Sequence, residues 1–272
     1  MKKVAAVFTD SLSNELEYCL YGDKNEYLIA FPGFGESYEV FETLAMELSN
    51  ISVLSINPYF LGGSKRNAKG KYLKNDEWKI TLGELLKYLK INRFSVLGFS
   101  LGGRFAISTF SSFENSMDHL ILVAVDGIEK RFIYELATFP LGMQQLFFFL
   151  MKKPKLLFSL VKLCDSIGIM NSYNVKFVMS QLESEEARMS VFYSWISFKE
   201  LRISRKKLAQ RMSNSIVKGA LIFGQKDKVV GVRNHHKFLS DVKNVEILNL
   251  PYGHYKLVEN GLPEIQKILN KP

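Results

Sequence analysis

Hydrophobic runs alternate with amphipathic segments over the first half of the chain. Apolar stretches suited to buried strands are separated by segments whose apolar residues recur at helical spacing; the stretches are EYLIAF (26–31), ISVLSI (51–56), RFSVLGF (93–99) and HLILVAV (119–125). Near-continuous apolar strands that are separated by helices indicate a parallel sheet covered on both faces. The pattern therefore predicts an α/β protein with a mostly parallel, doubly wound sheet.

This alternation stops after Asp126 and returns near residue 216. From 127 to 215 helical patterns dominate, and the strand-like runs GALIFG (219–224) and NVEILNL (244–250) follow. An insertion of roughly 85 residues is far longer than an ordinary connection between elements. We therefore expect a core formed by residues 1–126 and 216–272, with a helical insertion at 127–215.

Composition and charge narrow the class of protein. With 272 residues and 47% hydrophobic residues, the chain can bury one large core. The net charge is +9, but the lysines are dispersed and no nucleic-acid motif is present, so we expect no nucleic-acid partner. No apolar run has the length of a signal-peptide core or a membrane span, which favours a cytoplasmic protein.

The cysteines and histidines do not suggest a metal site. Neither Cys19 nor Cys164 belongs to a CxxC pair, and no group has zinc-ligand spacing. We interpret both cysteines as buried free thiols, with a disulfide as the less favoured alternative, and we expect no metal and no organic cofactor.

The stretch LGFSLGGRF (97–105) places Ser100 between Gly98 and Gly102, directly after an apolar strand. A strand that turns at once into a helix strains its corner residue, and side chains two residues away on either side would collide there. The glycines allow this turn, which lifts the serine hydroxyl to the carboxyl edge of the sheet. The N–H group of Leu101, at the start of the helix, would point at an oxyanion formed there.

A serine nucleophile needs a base, and a histidine base needs a carboxylate. His254 lies in a turn after the last strand, at the same predicted edge, whereas the other three histidines are interpreted as structural or exposed (His119, His235, His236). Asp227 and Asp126 both follow strands and compete for the role of the acid. We favour Asp227, because its strand directly precedes the one that leads to His254.

A second glycine cluster, FPGFGES (31–37), follows an early strand. The N–H group of Phe34 could complete an oxyanion hole with that of Leu101. A tight turn with Ser37 as a helix N-cap is the alternative interpretation.

Taken in chain order, FPGFG, GFSLGG, GQKDKVV and GHYKLVE resemble the oxyanion loop, nucleophile elbow, acid loop and histidine loop of the α/β-hydrolase superfamily. The resemblance covers nearly the whole chain. It implies the α/β-hydrolase fold, a Ser100–His254–Asp227 triad, and a lid formed by the helical insertion after the strand that ends near Asp126. Many members have His-Gly where this chain has Pro32-Gly33. A serine at the elbow argues against the haloalkane dehalogenases and epoxide hydrolases, which have aspartate there.

The resemblance implies a serine hydrolase that acts on an ester or related acyl bond of a small, apolar or aromatic substrate. Candidate substrate-binding residues are Phe99, beside the serine, and Phe148 and Trp195 of the insertion. Two alternatives remain open: a C–C bond hydrolase or elimination enzyme, and a non-catalytic ligand-binding relative. The extra support for the first is SLGGR with Arg104, although an arginine on an exposed helix surface is the simplest interpretation of that residue. The basic, apolar segment at 150–163 could contact a membrane surface, although we favour a solvated lid face. The oligomeric state is left open.

Overall fold

A computed structural model describes residues 1–129, 132–139, 142–167, 175 and 179–271. An eight-stranded sheet runs through it in the order β1-β2-β4-β3-β5-β6-β7-β8. The strands are β1 (Lys3–Thr9), β2 (Glu15–Tyr21), β3 (Glu26–Phe31), β4 (Ile51–Ile56), β5 (Phe94–Phe99), β6 (Met117–Val123), β7 (Lys218–Gly224) and β8 (Val245–Leu250). Strands β3 to β8 are parallel, which confirms the predicted sheet.

The first two strands are antiparallel additions that the sequence analysis leaves unassigned. Strand β1 pairs with β2, and β2 pairs antiparallel with β4. Strand β1 forms one edge of the sheet, and its residues are largely exposed. Its sequence, KVAAVFT, has an apolar run like those of the central strands, so hydrophobicity alone does not distinguish an exposed edge strand from a buried one.

Helices and short 3₁₀ turns connect the strands. The α-helices with described bounds are α1 (Glu42–Glu47), α2 (Asn75–Leu89), α3 (Gly102–Phe113), α4 (Phe132–Ala137), α5 (Met143–Lys152), α6 (Pro154–Ser166), α7 (Glu185–Ser197), α8 (Arg205–Asn214), α9 (His236–Asp241), α10 (Leu257–Asn260) and α11 (Leu262–Leu269). Within the described residues, no helix has both the length and the apolar character needed to cross a membrane.

The strand order reverses around β3. The chain runs from β3 to β4 on one side, and then crosses back to β5 on the other side of β3. The loops after β3 and β5 leave the sheet from neighbouring strands at the same carboxyl edge. Ligands of open α/β sheets bind at such a reversal. The fold thus places the glycine-rich loop 32–37 beside the turn at Ser100.

Buried strands form the centre of the core that surrounds the sheet. All six residues of β5 are buried, and Leu97 and Ile121 on β5 and β6 belong to a core that extends to α10 and α11. On helix α2 the Trp78 indole is fully buried and donates a hydrogen bond to Thr109 Oγ1 of α3 at 3.0 Å. Helices and sheet therefore hold the β5–α3 turn rigidly.

The chain divides into two compact units. The first comprises Met1–Asn67, Leu73–Glu129 and Glu200–Pro272, and the second Ala68–Tyr72 and Lys130–Lys199. The elements that the structure describes in the second unit are the helices α4 to α7. Helix α8, which we assigned to the insertion from sequence, belongs to the first unit. That the second unit acts as a lid stays a prediction.

Cys19 is a buried free thiol, and burial raises its pKa. The side chain of Cys164 lies outside the described part of the structure.

Candidate active site

Ser100 occupies the corner between β5 and α3 in a left-handed conformation, with φ at +50°. Its N–H group donates to Val123 O at 3.0 Å, and its carbonyl oxygen accepts from the N–H groups of Gly103 and Asp126 at 3.0 and 2.9 Å. A non-glycine residue persists in this conformation only when its surroundings fix it. Here the end of β6 and the first turn of α3 fix it together.

The two flanking glycines are required by close approaches. A Cβ atom on Gly98 would lie 2.6 Å from Ala106 Cβ, and one on Gly102 would lie 2.1 Å from Phe31 O. Gly98 thus lets helix α3 pack close to its own strand, while Gly102 lets that helix approach the end of β3. The second contact joins the serine turn to the loop that contains Phe34.

Asp227 and His254 form a buried pair. Asp227 Oδ2 lies 2.7 Å from His254 Nδ1, and their side chains are 0% and 5% exposed, respectively. Asp227 Oδ1 accepts from the N–H groups of Val229 and Val230 at 2.7 and 2.8 Å. Burial alone would raise the pKa of Asp227, but the hydrogen bond and charge of His254, with these two amides, outweigh it and lower the pKa. Asp227 is therefore held as a carboxylate facing the imidazole.

The strands β7 and β8 bring this pair together. They are parallel neighbours, and Gly224 at the end of β7 is in register with Leu250 at the end of β8. Beyond them, Gln225 N–H donates to Leu250 O at 2.8 Å and Lys226 N–H donates to Tyr252 O at 3.0 Å. The two loops are thus bonded to each other along the carboxyl edge of the sheet.

His254 contacts Phe99, the residue that precedes Ser100 in the serine turn. The ring centroids of His254 and Phe99 lie 5.1 Å apart, and Phe99 immediately precedes Ser100. Phe99 is 3% exposed. The structure therefore brings Ser100, Asp227 and His254 to one edge of the sheet, and it packs the predicted substrate-binding residue Phe99 against the imidazole.

The competing acid, Asp126, is bound to a different partner. Its Oδ2 accepts from Arg104 Nε at 2.8 Å, and the Arg104 side chain is 5% exposed. Arg104 was an exposed helix residue in the simplest sequence interpretation, and this interpretation is wrong. His235, which we also expected to be exposed, is buried, and its Nε2 lies 3.1 Å from Val125 O. The helical spacing of Arg104 and His235 in the sequence gives no sign that loop 124–127, which follows β6, packs over both side chains.

His119 lies within strand β6, where a structural role was expected. It is buried, and its Nδ1 lies 3.0 Å from Ser95 Oγ. Burial lowers its pKa. This histidine belongs to the packing of the sheet.

The predicted oxyanion groups lie at the two adjoining loops. Leu101 is the N-cap residue of α3, and Phe34 lies in the turn between Gly33 and Glu36. The following Ser37 accepts a hydrogen bond from Glu39 N–H at 3.3 Å and caps a 3₁₀ helix. Their role as oxyanion donors stays a prediction.

Sequence reasoning missed Glu36. Its Oε2 accepts from Gly33 N–H at 3.1 Å, so the carboxylate folds back over the loop. Burial raises its pKa, which the Gly33 N–H group and the charge of His254 partly oppose. An acidic residue in a glycine-rich loop beside the serine was the available sequence signal.

Two predicted substrate-binding residues belong to an aromatic cluster in the second unit. Trp195 packs against Tyr134 and Phe147, with ring centroids 5.2 and 5.4 Å apart. Phe148 packs against Phe192 at 5.1 Å and is 37% exposed. These contacts give both residues a packing role, and substrate binding by them stays a prediction.

Among the described residues, no group of three or more His, Cys, Asp and Glu side chains could hold a metal ion.

Comparisons with known proteins identify the fold. No model of a known protein family matches the sequence, and no curated protein matches it. Solved structures match over almost the entire chain, and they establish that the protein has the α/β-hydrolase fold.

Three of these structures illustrate the range of enzymes that share this fold. A hydrolase from Pseudomonas aeruginosa PA01 is 16% identical, with a TM-score of 0.67 and 98% of each chain covered. A thermophilic esterase from Thermogutta terrifontis is 14% identical, with a TM-score of 0.68 and 99% of this chain and 98% of that chain covered. A meta-cleavage product hydrolase from Pseudomonas fluorescens IP01 is 14% identical, with a TM-score of 0.64 and 97% of each chain covered. Identities this low establish a shared fold and not a shared substrate.

Proposed function

We propose that the protein is a serine hydrolase that cleaves an ester or related acyl bond of a small, apolar or aromatic substrate. The observation that carries this proposal is the buried contact of 2.7 Å between Asp227 and His254, at the sheet edge where Ser100 occupies a strained turn. A nucleophile, a base and an acid that orients the base are the groups that acyl transfer needs. Esterases are among the solved structures of this fold, and so are meta-cleavage product hydrolases, so the choice of acyl-bond hydrolysis rests on the site.

In this mechanism the Ser100 hydroxyl oxygen attacks the substrate carbonyl carbon. His254 accepts the hydroxyl proton and then donates it to the leaving group, so that an acyl-enzyme forms. Asp227 binds the Nδ1–H group of His254 and stabilises the imidazolium. The N–H groups of Phe34 and Leu101 stabilise the oxyanion. Water then attacks the acyl-enzyme, His254 takes its proton, and the acid product leaves with Ser100 restored.

The alternative chemistry of C–C cleavage or elimination rested on Arg104. In the structure its guanidinium is buried and bound to Asp126. This residue therefore does not favour the alternative, and acyl-bond hydrolysis is the function that we propose.

A fluorophosphonate probe tests the proposal directly. We expect it to label the wild-type protein at Ser100, and we expect Ser100→Ala to abolish both labelling and the hydrolysis of short p-nitrophenyl esters. A vinylogous 1,5-diketone, tested in parallel, reports C–C cleavage. A folded wild-type protein that is neither labelled nor active on any of these acyl compounds would favour the ligand-binding alternative.

A further inference from the structure

A second carboxylate, that of Glu36, lies in the loop beside the proposed nucleophile. The turn that carries it is closed by a hydrogen bond of 3.3 Å from Glu36 N–H to Gly33 O, and Gly35 has a φ of +78°. A positive φ at the third position is typical of a type II turn. The side chain then returns to the Gly33 N–H group at 3.1 Å. The carboxylate is thus held against the loop and not directed into solvent.

This carboxylate and the Phe99 ring, which packs against His254, both lie beside Gly33. A Cβ atom on Gly33 would lie 3.1 Å from Glu36 Oε2 and 3.0 Å from the Phe99 ring, so the carboxylate and this ring lie on one side of Gly33. The Phe99 ring in turn packs against His254 at 5.1 Å. Glu36 and His254 also interact electrostatically.

Two carboxylates therefore lie at this edge of the sheet. Asp227 is an ionised, buried carboxylate that is bound to His254. Glu36 adds a second carboxylate, which accepts a hydrogen bond from Gly33 N–H and interacts electrostatically with His254. Like charges repel strongly where protein excludes water, and a repulsive group is an effective means of rejecting a ligand.

We propose that Glu36 is a specificity-determining residue that selects substrates without a negative charge near the reacting carbonyl. The inference rests on the proposed function, since it concerns the substrate of Ser100. It narrows the substrate class to neutral or cationic esters, and it assigns to Glu36 a role that is separate from the chemistry of Ser100 and His254.

The test compares two esters of equal acyl length, p-nitrophenyl butyrate and mono-p-nitrophenyl succinate. They differ by a terminal carboxylate on the acyl group. We expect wild-type kcat/KM to favour the neutral ester, and Glu36→Gln to reduce the neutral-to-anionic ratio by about tenfold. Glutamine retains an oxygen that accepts from Gly33 N–H, so the substitution removes the charge without removing the loop contact.

Glu39→Gln is the matched control. Glu39 lies three residues further along, and its side chain is exposed. Removing an exposed charge has little effect because solvent and salt screen it, so we expect the neutral-to-anionic ratio to stay unchanged.

The possible outcomes separate the two proposals. If both esters are hydrolysed and their ratio is the same in wild type and Glu36→Gln, the inference about Glu36 is wrong and the serine hydrolase remains. A loss of activity on both esters by the same factor also overturns it, since Glu36 would then only position the loop. If the probe does not label Ser100 and neither ester is hydrolysed, the proposed function fails and the inference fails with it.

Discussion

The carboxylate of Asp227 lies 2.7 Å from Nδ1 of His254, although 27 residues separate them in sequence. Both side chains are buried, and two backbone N–H groups hold the second oxygen of the carboxylate. The arrangement fixes the orientation of the imidazole. It also distinguishes Asp227 from Asp126, which follows a strand at the same edge.

We expect Asp227→Asn to lower kcat for ester hydrolysis by about 10⁴-fold. An amide cannot stabilise the imidazolium, and as a donor it favours the wrong tautomer of His254. Steady-state kinetics with p-nitrophenyl butyrate measures the effect, and circular dichroism establishes that the variant is folded. Activity of Asp227→Asn near the wild-type level would contradict the assignment.

Asp126→Asn is the matched comparison, and we expect it to affect mainly stability. Arg104 is 5% exposed and would lose its ion pair with Asp126. Loss of an ion pair by a buried guanidinium costs about 2 kcal/mol of unfolding free energy. Urea unfolding measures this cost, and kcat should fall by less than about tenfold because Asp227 is the carboxylate that binds the imidazole. If Asp126→Asn is instead the inactive variant and Asp227→Asn is active, Asp126 is the acid.

The strain at Ser100 predicts a difference between two inactive variants. Both Ser100→Ala and Ser100→Gly remove the hydroxyl, but glycine adopts a φ of +50° without a steric penalty. We expect Ser100→Gly to have an unfolding free energy about 1 kcal/mol higher than Ser100→Ala. Chemical denaturation of the two variants measures it. Equal stabilities would show that the turn stores no strain.

The packing of Gly102 predicts a large effect from one methyl group. A Cβ atom there would lie 2.1 Å from Phe31 O, and backbone cannot move aside as a flexible side chain can. We expect Gly102→Ala to lower the unfolding free energy by about 3 kcal/mol and to slow the labelling of Ser100.

Gly83→Ala serves as the control for Gly102→Ala. Gly83 lies within α2, where a Cβ atom would meet Phe113 at an ordinary 3.6 Å. Alanine is the better helix former, so we expect this variant to be more stable by about 1 kcal/mol. A Gly102→Ala protein as stable as wild type would contradict the close approach of α3 to β3.

The pH dependence of stability follows from the lowered pKa of Asp227. Because the folded protein holds this group below its ordinary value of 3.8, ionised Asp227 stabilises the fold above that pH. The contribution is lost as the pH falls through the folded-state pKa. We therefore expect the difference in unfolding free energy between wild type and Asp227→Asn to shrink below about pH 3.8. A difference that stays constant from neutral to acidic pH would contradict this reasoning.

Local patterns in the sequence were sufficient for most of the core. The continuous apolar runs at 26–31, 94–99 and 219–224 are strands because burial on both faces leaves a signal in every residue. The turn at Ser100 was also predictable, since an apolar strand, two glycines and a helical segment follow one another without a gap. Strand β1 was missed although its sequence, KVAAVFT, contains an apolar run, because no predicted helix or turn placed that run within the alternating pattern.

The partner of each charged side chain was decided by the tertiary structure. Asp126 and Asp227 have the same local context, an aspartate after an apolar strand, so only the chain order favoured Asp227 at the level of sequence. The pairing of β7 with β8 carries Asp227 to His254, while the packing of α3 on the sheet carries Arg104 to Asp126. Likewise, the sequence shows Glu36 only as a polar loop residue. The turn at Gly33 in the tertiary structure places its carboxylate at the site. Periodicity reports which face of an element is buried, but distances between side chains on different elements depend on strand order and on how closely backbones approach.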